Sequence, residues 1–251
     1  MKLSGISTLL LTLTVFSTPS MASQQKSICG VDDRVPSNYA KVGRLLGKMS
    51  DTGGCTVTMI SKTCAISAGH CSSTFGFAEF NTPASRRGRI QNSKPEDIYP
   101  VDKARTEYQY NGLGDDWAVL RIKPNTITGK YAGDVQGYYE VDFAKPQTNT
   151  LIRITGYGLD QSDPERNLAQ QTHTGEIVSF RGSTMYHVAD TMGGNSGSSI
   201  IRESDSKIVA IHTNGGCSSR GGSNAATVIS ENEKVKTAIR ACLAEEALLA
   251  D

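Results

Sequence analysis

An all-β fold ending in one C-terminal helix is the class this chain predicts, and three observations point to it. Glycine is abundant at 25 of 251 residues while Phe (six) and Trp (one) are few, a composition suited to many short strands joined by tight turns. Short β-branched runs recur between Gly, Asn and Pro turns through most of the chain. Only near the C-terminus does the apolar period change from strand-like to helical. Composition alone does not separate a barrel from a sandwich. With 37% hydrophobic and 20% charged residues, the chain can bury a sizeable core as one large β domain or two small ones. Lys+Arg 26 against Asp+Glu 25 leaves a formal charge of +1. No basic block interleaves with aromatics, so electrostatics give no grounds for a nucleic-acid or anionic-membrane partner.

At the N-terminus, Lys2 precedes an apolar run from Ile6 to Phe16 and then Ser20-Met21-Ala22, a small-x-small pattern. This predicts a signal peptide over 1–22, cleaved after Ala22. The run is far shorter than the ~20 apolar residues that cross a bilayer, so an exported, soluble product is expected, with no membrane association once the signal is removed. Six cysteines follow the signal (Cys29, Cys55, Cys64, Cys71, Cys217 and Cys242), with no Cys-x-x-Cys among them. An even number in an oxidising compartment predicts three disulfides.

Residues 55–80 and 98–122, with runs such as Val57 to Ile60 and Val119 to Ile122, form a first antiparallel unit. The stretch 123–149, rich in Gly, Tyr, Asn and Pro, is the connector. Leu151 to Ile154, Glu176 to Val178, Ser199 to Ile201 and Ile208 to Ile211 are strands of a second unit. Val235, Ala238, Ile239, Cys242 and Leu243 fall on one helical face, and Ser230 with Glu233 predicts a capping box at its start.

The strongest local signal for chemistry is Gly193-Gly194-Asn195-Ser196-Gly197-Ser198, a serine in a glycine turn whose backbone N–H groups can converge on one point. A serine hydroxyl needs a base to take its proton, and an acyl-transfer intermediate needs donors aimed at its oxyanion. His70, in Ser67-Ala68-Gly69-His70-Cys71, sits at a strand end beside a cysteine and suits a general base. Gly114-Asp115-Asp116-Trp117-Ala118-Val119-Leu120 supplies an acid that opens a buried strand and can receive the imidazole N–H.

Ala-Gly-His-Cys, then Asp-x-Ala-Val-Leu, then Gly-Asn-Ser-Gly, in this order and at comparable intervals, resemble the trypsin-like serine proteases. The resemblance implies two antiparallel six-stranded barrels with the site in the cleft between them. The barrels would span 27–135 and 150–230, with a linker at 136–149 and a helix and tail at 231–251. It implies His70 as general base and acid, Asp116 rather than Asp115 as its partner, and Ser196 as nucleophile. The Gly194 and Ser196 N–H groups would form the oxyanion hole. No cofactor and no metal are implied, the substrates are proteins or peptides, and a monomer is expected.

Within the family, Asp190 to Ser196 and Ile211 to Gly216 resemble the pocket segments of secreted bacterial glutamyl endopeptidases. Ser27 to Arg34 resembles the mature start of the Bacillus-type members, which implies a propeptide at 23–26 removed after Lys26. A pocket for a carboxylate needs donors, and the resemblance names His212 and Thr191, with Thr213 beside them. Cleavage after Glu, with Asp also accepted, is the implied preference. Asp190 stands where trypsin carries the aspartate that selects Arg and Lys, so a pocket-facing Asp190 would give that specificity instead. The glutamyl likeness implies an Asp190 turned away and bonded to backbone. Asn195 departs from trypsin, where an aspartate pairs with the freed N-terminal amine. The resemblance also pairs Cys55 with Cys71. It favours Cys29 with Cys217 and Cys64 with Cys242, although four cysteines allow three connectivities. A catalytically dead, protein-binding relative is the alternative from another class. A metallohydrolase has no His-Glu-x-x-His to support it.

Overall fold

The computed structural model describes residues 27–247; the expected signal peptide and propeptide lie outside the described residues. The first half contains β1 (Val35–Pro36), β2 (Val42–Leu46), β3 (Thr56–Met59), β4 (Cys64–Ser67), β5 (Phe77–Glu79), β6 (Ile98–Pro100), β7 (Glu107–Tyr110) and β8 (Asp116–Arg121). A short helix, α1 (Ala132–Gln136), stands in the connector. The second half contains β9 (Leu151–Gly156), β10 (Gln171–Arg181), β11 (Thr184–His187), β12 (Ser199–Arg202), β13 (Lys207–Asn214) and β14 (Asn224–Val228), followed by α2 (Glu233–Ala247).

Strands β2 to β8 form one sheet in the order β6-β5-β2-β3-β4-β8-β7. The sheet curls until a single bridge, Val101 to Ile122, joins the end of β6 to the end of β8. Leu45, Val57, Met59, Ala65, Phe80 and Leu120 fill its interior with no solvent exposure, each aliphatic contributing about 1.5–3 kcal/mol by leaving water. The second sheet closes on itself through β9-β10-β11-β14-β13-β12, with β1 added at β10. Ile152, Ile154, Ile177, Met185, Ile200, Val209 and Val228 are its core. A third cluster, from Ile66 and Val119 through Tyr157 and Ile211 to Val235 and Ile239, packs both barrels against α2.

The helix buries Val235, Ala238, Ile239 and Cys242, as its period predicts. Its start is different from the expected capping box. Asn232 Oδ1 accepts the Lys234 and Val235 N–H groups at 3.1 and 3.2 Å, whereas Ser230 Oγ turns to Glu231. Asn is as good a cap as Ser, and Asn232 lies one residue before Glu233, where the helix begins. Three disulfides tie the frame together: Cys55–Cys71, Cys29–Cys217 and Cys64–Cys242. The first closes a loop of separation 16, worth about 3 kcal/mol by chain entropy.

Candidate active site

Strands β4 and β8 are neighbours in antiparallel register, with Ser67 opposite Ala118. The turn after β4 therefore meets the start of β8. That turn, Gly69–Thr74, is a short 3-10 helix pinned by the Cys55–Cys71 bridge. Asp116 is 1% exposed, and its Oδ1 accepts the Gly69 and His70 N–H groups at 2.7 and 3.1 Å. Its Oδ2 lies 2.6 Å from His70 Nδ1. With Nδ1–H donated to a carboxylate, Nε2 of His70 holds a lone pair, as a general base requires. Asp115 faces the other way, taking the Trp117 indole N–H and the Asn111 and Asn232 amides. Thr227 Oγ1 donates to the Asp116 carbonyl at 2.8 Å and accepts its N–H at 3.3 Å. The second barrel thus holds the first strand of the site.

Ser196 is half-buried on the turn between Thr191 and β12. Its carbonyl accepts the Thr56 N–H at 2.8 Å and lies 3.9 Å from Cys71 Sγ, which sets it against the His70 turn. Its hydroxyl makes no hydrogen bond to His70 in this structure; apo sites often hold this contact long and tighten it with substrate. The turn itself is tightly held. Asn195 N–H donates to Met192 O (2.9 Å), Met192 N–H to Asn195 Oδ1 (3.2 Å), Ser198 N–H to Asn195 O (2.9 Å) and Gly197 N–H to His212 O (2.9 Å). The N–H groups of Gly194 and Ser196 donate to nothing among the described residues. Gly194 has φ 104° and stands where a Cβ would collide with the Tyr157 carbonyl, so glycine is required there.

The residues expected to form a pocket cluster beside this turn. Thr191 is fully buried and its Oγ1 has no partner. Thr213 Oγ1 donates weakly to Ala225 O at 3.4 Å. His212 is 3% exposed, and its Nδ1 lies 3.2 Å from Nε2 of the fully buried His187. Burial pushes the His187 pKa down to about 3. Burial, then the fields of His187 and His70, hold His212 well below the ordinary range, so both rings are neutral at pH 7. Asp190, 2% exposed, turns toward the N-terminal segment: its Oδ1 accepts the Cys29 N–H at 2.7 Å. Its own N–H donates to His173 Nδ1 at 2.8 Å. The Ser27 carbonyl accepts the Thr191 N–H (3.2 Å) and the Asn224 amide (2.8 Å).

Sequence reasoning gave no role to His187, Asn224 or Thr227. A signal for His187 was present, because it shares the inward face of β11 with Met185 and is the polar exception on it. Asn224 Oδ1 also accepts the Gly216 and Cys217 N–H groups, a function visible only once the chain is folded.

The model of the trypsin family matches residues 36–236. The chain belongs to the trypsin family. Among curated relatives, a glutamyl endopeptidase of Bacillus licheniformis is 27% identical over 209 residues, covering 76% of this chain and 61% of that protein. A Bacillus subtilis protein named extracellular metalloprotease is 27% identical over 219 residues, covering 78% of this chain and 64% of that one. The chain thus spans less than two thirds of the length of these relatives. A solved glutamyl endopeptidase structure superimposes with a TM-score of 0.65 at 20% identity, over 86% of this chain and 99% of that one. This last likeness is one of fold, and it agrees with the two barrels and the C-terminal helix described above.

Proposed function

We propose that this protein is an exported serine endopeptidase that cleaves proteins and peptides after Glu, and also after Asp, through an acyl-enzyme on Ser196. The observation that carries the mechanism is the His70–Asp116 pair, a buried carboxylate at 2.6 Å fixing the ring with Nε2 free. In this reading His70 takes the Ser196 proton as the hydroxyl attacks the scissile carbonyl. The tetrahedral oxygen is received by the Gly194 and Ser196 N–H groups, and His70 returns the proton to the leaving amine. Water repeats the sequence on the acyl-enzyme. No cofactor enters any step, and the catalytic unit is a monomer.

The preference for Glu rests on two neutral donors, His212 and Thr191. With His187 Nε2–H donating to His212 Nδ1, His212 retains Nε2–H for the substrate carboxylate, and the buried Thr191 hydroxyl, which has no partner, supplies a second donor. Thr213 lines the same wall. In this reading Asp190 stays out of the pocket: one oxygen accepts the Cys29 N–H, and the other, without a hydrogen bond, lies 3.8 Å from His173 Nδ1. Ser27 lies against Thr191, which supports processing after Lys26 as a step that completes the pocket; full activity of a form retaining Ser23 to Lys26 would contradict that step. The name of the Bacillus subtilis relative raises a metal-dependent reading. Among the described residues, the groups able to approach an ion are Cys55, His70 and Cys71, and Asp33, His173 and Asp190. In the first both sulfurs are in a disulfide; in the second His173 Nδ1 already accepts the Asp190 N–H. Neither offers a ready site. Labelling with a peptide phosphonate ending in Glu should modify Ser196 stoichiometrically and fail in His70→Ala. Labelling that survives in that variant would remove His70 from the mechanism.

A further inference from the structure

Arg34 is one of the most deeply buried cations of the molecule, 3% exposed, and its position is fixed from both sides. Cys29–Cys217 anchors the chain before it, and β1 pairs with β10 after it. Burying a guanidinium is costly unless its donors are used. Nε and Nη2 reach Asp32 at 2.9 and 2.7 Å, and Asp160 approaches Nη2 at 4.0 Å. Arg166 completes the group, with Nε 3.0 Å from Asp160 and Nη1 on the Arg34 carbonyl. Asp163, half-exposed, also lies 3.3 Å from Arg166 Nε, so two cations meet three carboxylates. One donor edge is left over: Nη1 is buried and has no hydrogen-bond partner.

Nη1 and Asn195 Oδ1 both lie on the Cβ side of Gly158, with no hydrogen bond between them. A Cβ placed on Gly158 would stand 2.8 Å from Arg34 Nη1 and would collide with Asn195 Oδ1. The bare Cα of Gly158 is therefore what lets the guanidinium and the amide oxygen approach the same point. Asn195 is 2% exposed, its Oδ1 has one lone pair on the Met192 N–H, and a carbonyl oxygen can accept a second bond. Asn195 lies between Gly194 and Ser196, whose N–H groups are the free ones.

We infer that Arg34 is a positioning residue for the Ser196 turn: the charge of its unpaired guanidinium edge, close to Asn195 Oδ1 but not hydrogen-bonded to it, favours the placement of Asn195 and through it of the two backbone donors proposed to receive the oxyanion. The turn is thereby set by an internal cation delivered by the N-terminal segment, independent of a free α-amine at this point. The inference rests on the proposed serine-protease reading, so a Ser196→Ala control runs beside every variant.

The test compares wild type, Arg34→Met, Asn195→Asp and their combination on a peptide substrate with Glu at the cleavage position. A peptide aldehyde ending in Glu and the matching product acid serve as inhibitors. Misplaced catalytic groups cost up to about 100-fold. Arg34→Met should lower kcat by about 10- to 100-fold with KM within about twofold. Aldehyde affinity should fall in parallel, and product-acid affinity should hold, because only the aldehyde forms an oxyanion. The loss caused by Asn195→Asp should be at least about tenfold greater when Arg34 is Met, since the new carboxylate then lacks its cation. If Arg34→Met does not fold, Asp32→Asn/Arg34→Met removes the pair together and replaces it. Unchanged kcat and aldehyde affinity in a folded Arg34 variant, or independent effects of the two substitutions, would overturn the inference. Wild-type turnover that persists in Ser196→Ala would instead overturn the protease reading beneath it.

Discussion

The buried histidine pair makes the protein's stability depend on pH in a window of its own. His187 has a pKa of about 3 in the folded protein against 6.5 for the free side chain, with burial as the first cause. A base whose folded value is depressed contributes stability above its unfolded value and loses it as pH falls, because the unfolded chain takes up the proton first. Between pH 7 and pH 5 the unfolded state gains about 0.7 of a proton at this position while the folded state gains essentially none. The loss is about 2 kcal/mol, and His212, shifted in the same direction, adds to it. Urea unfolding of the Ser196→Ala form, followed by fluorescence of the single, buried Trp117, measures this without self-digestion. His187→Gln keeps a donor near His212 Nδ1 and removes the titration. Whatever the substitution costs at pH 7, its further loss on going to pH 5 should be smaller than wild type's by about 2 kcal/mol. Equal losses in the two proteins would show that His187 takes up a proton as readily folded as unfolded, and the neutral pair would have to be abandoned.

Thr191→Val should reduce kcat/KM for Glu substrates by about 10-fold or more, the worth of one hydrogen bond to a charge. Thermal stability should hold, because the hydroxyl has no partner in the folded protein; a large stability loss would mean that it does. Asp190→Asn keeps an acceptor for the Cys29 N–H and should leave the ratio of Glu to Lys cleavage within about threefold, read from paired fluorogenic peptides. A collapse of Lys cleavage in that variant would place the carboxylate in the pocket. Ile239→Ala, at a fully buried position between helix and barrels, should cost about 2–5 kcal/mol in urea unfolding.

Much of the candidate site is local in sequence and could therefore be proposed from it. His70, Asp116 and Ser196 each sit in a short motif whose chemistry is readable from neighbours, and α2 shows its buried face as a helical period. The strands with strong β-branched runs were legible for the same reason. Strand β2, Val42–Leu46, was not, because its central Arg44 reads as polar, yet it is fully buried against Glu79 with further bonds to the Leu168 and Gln91 carbonyls. A residue satisfied by partners far along the chain carries no local mark. The same holds for Thr227, which grips Asp116 across a separation of 111 residues. The helix cap failed for a subtler reason: Ser230 and Glu233 had the spacing, but Asn232 was nearer and also bonds Gly114 O across the barrel interface.

Mapping every peptide bond cut in a denatured protein mixture, with the Ser27-processed protein and its Ser196→Ala variant in parallel, tests the central claim most directly. Cuts after Glu, fewer after Asp, and none in the variant are the expected result. Cuts after Arg or Lys, or cuts that persist without the Ser196 hydroxyl, would contradict it.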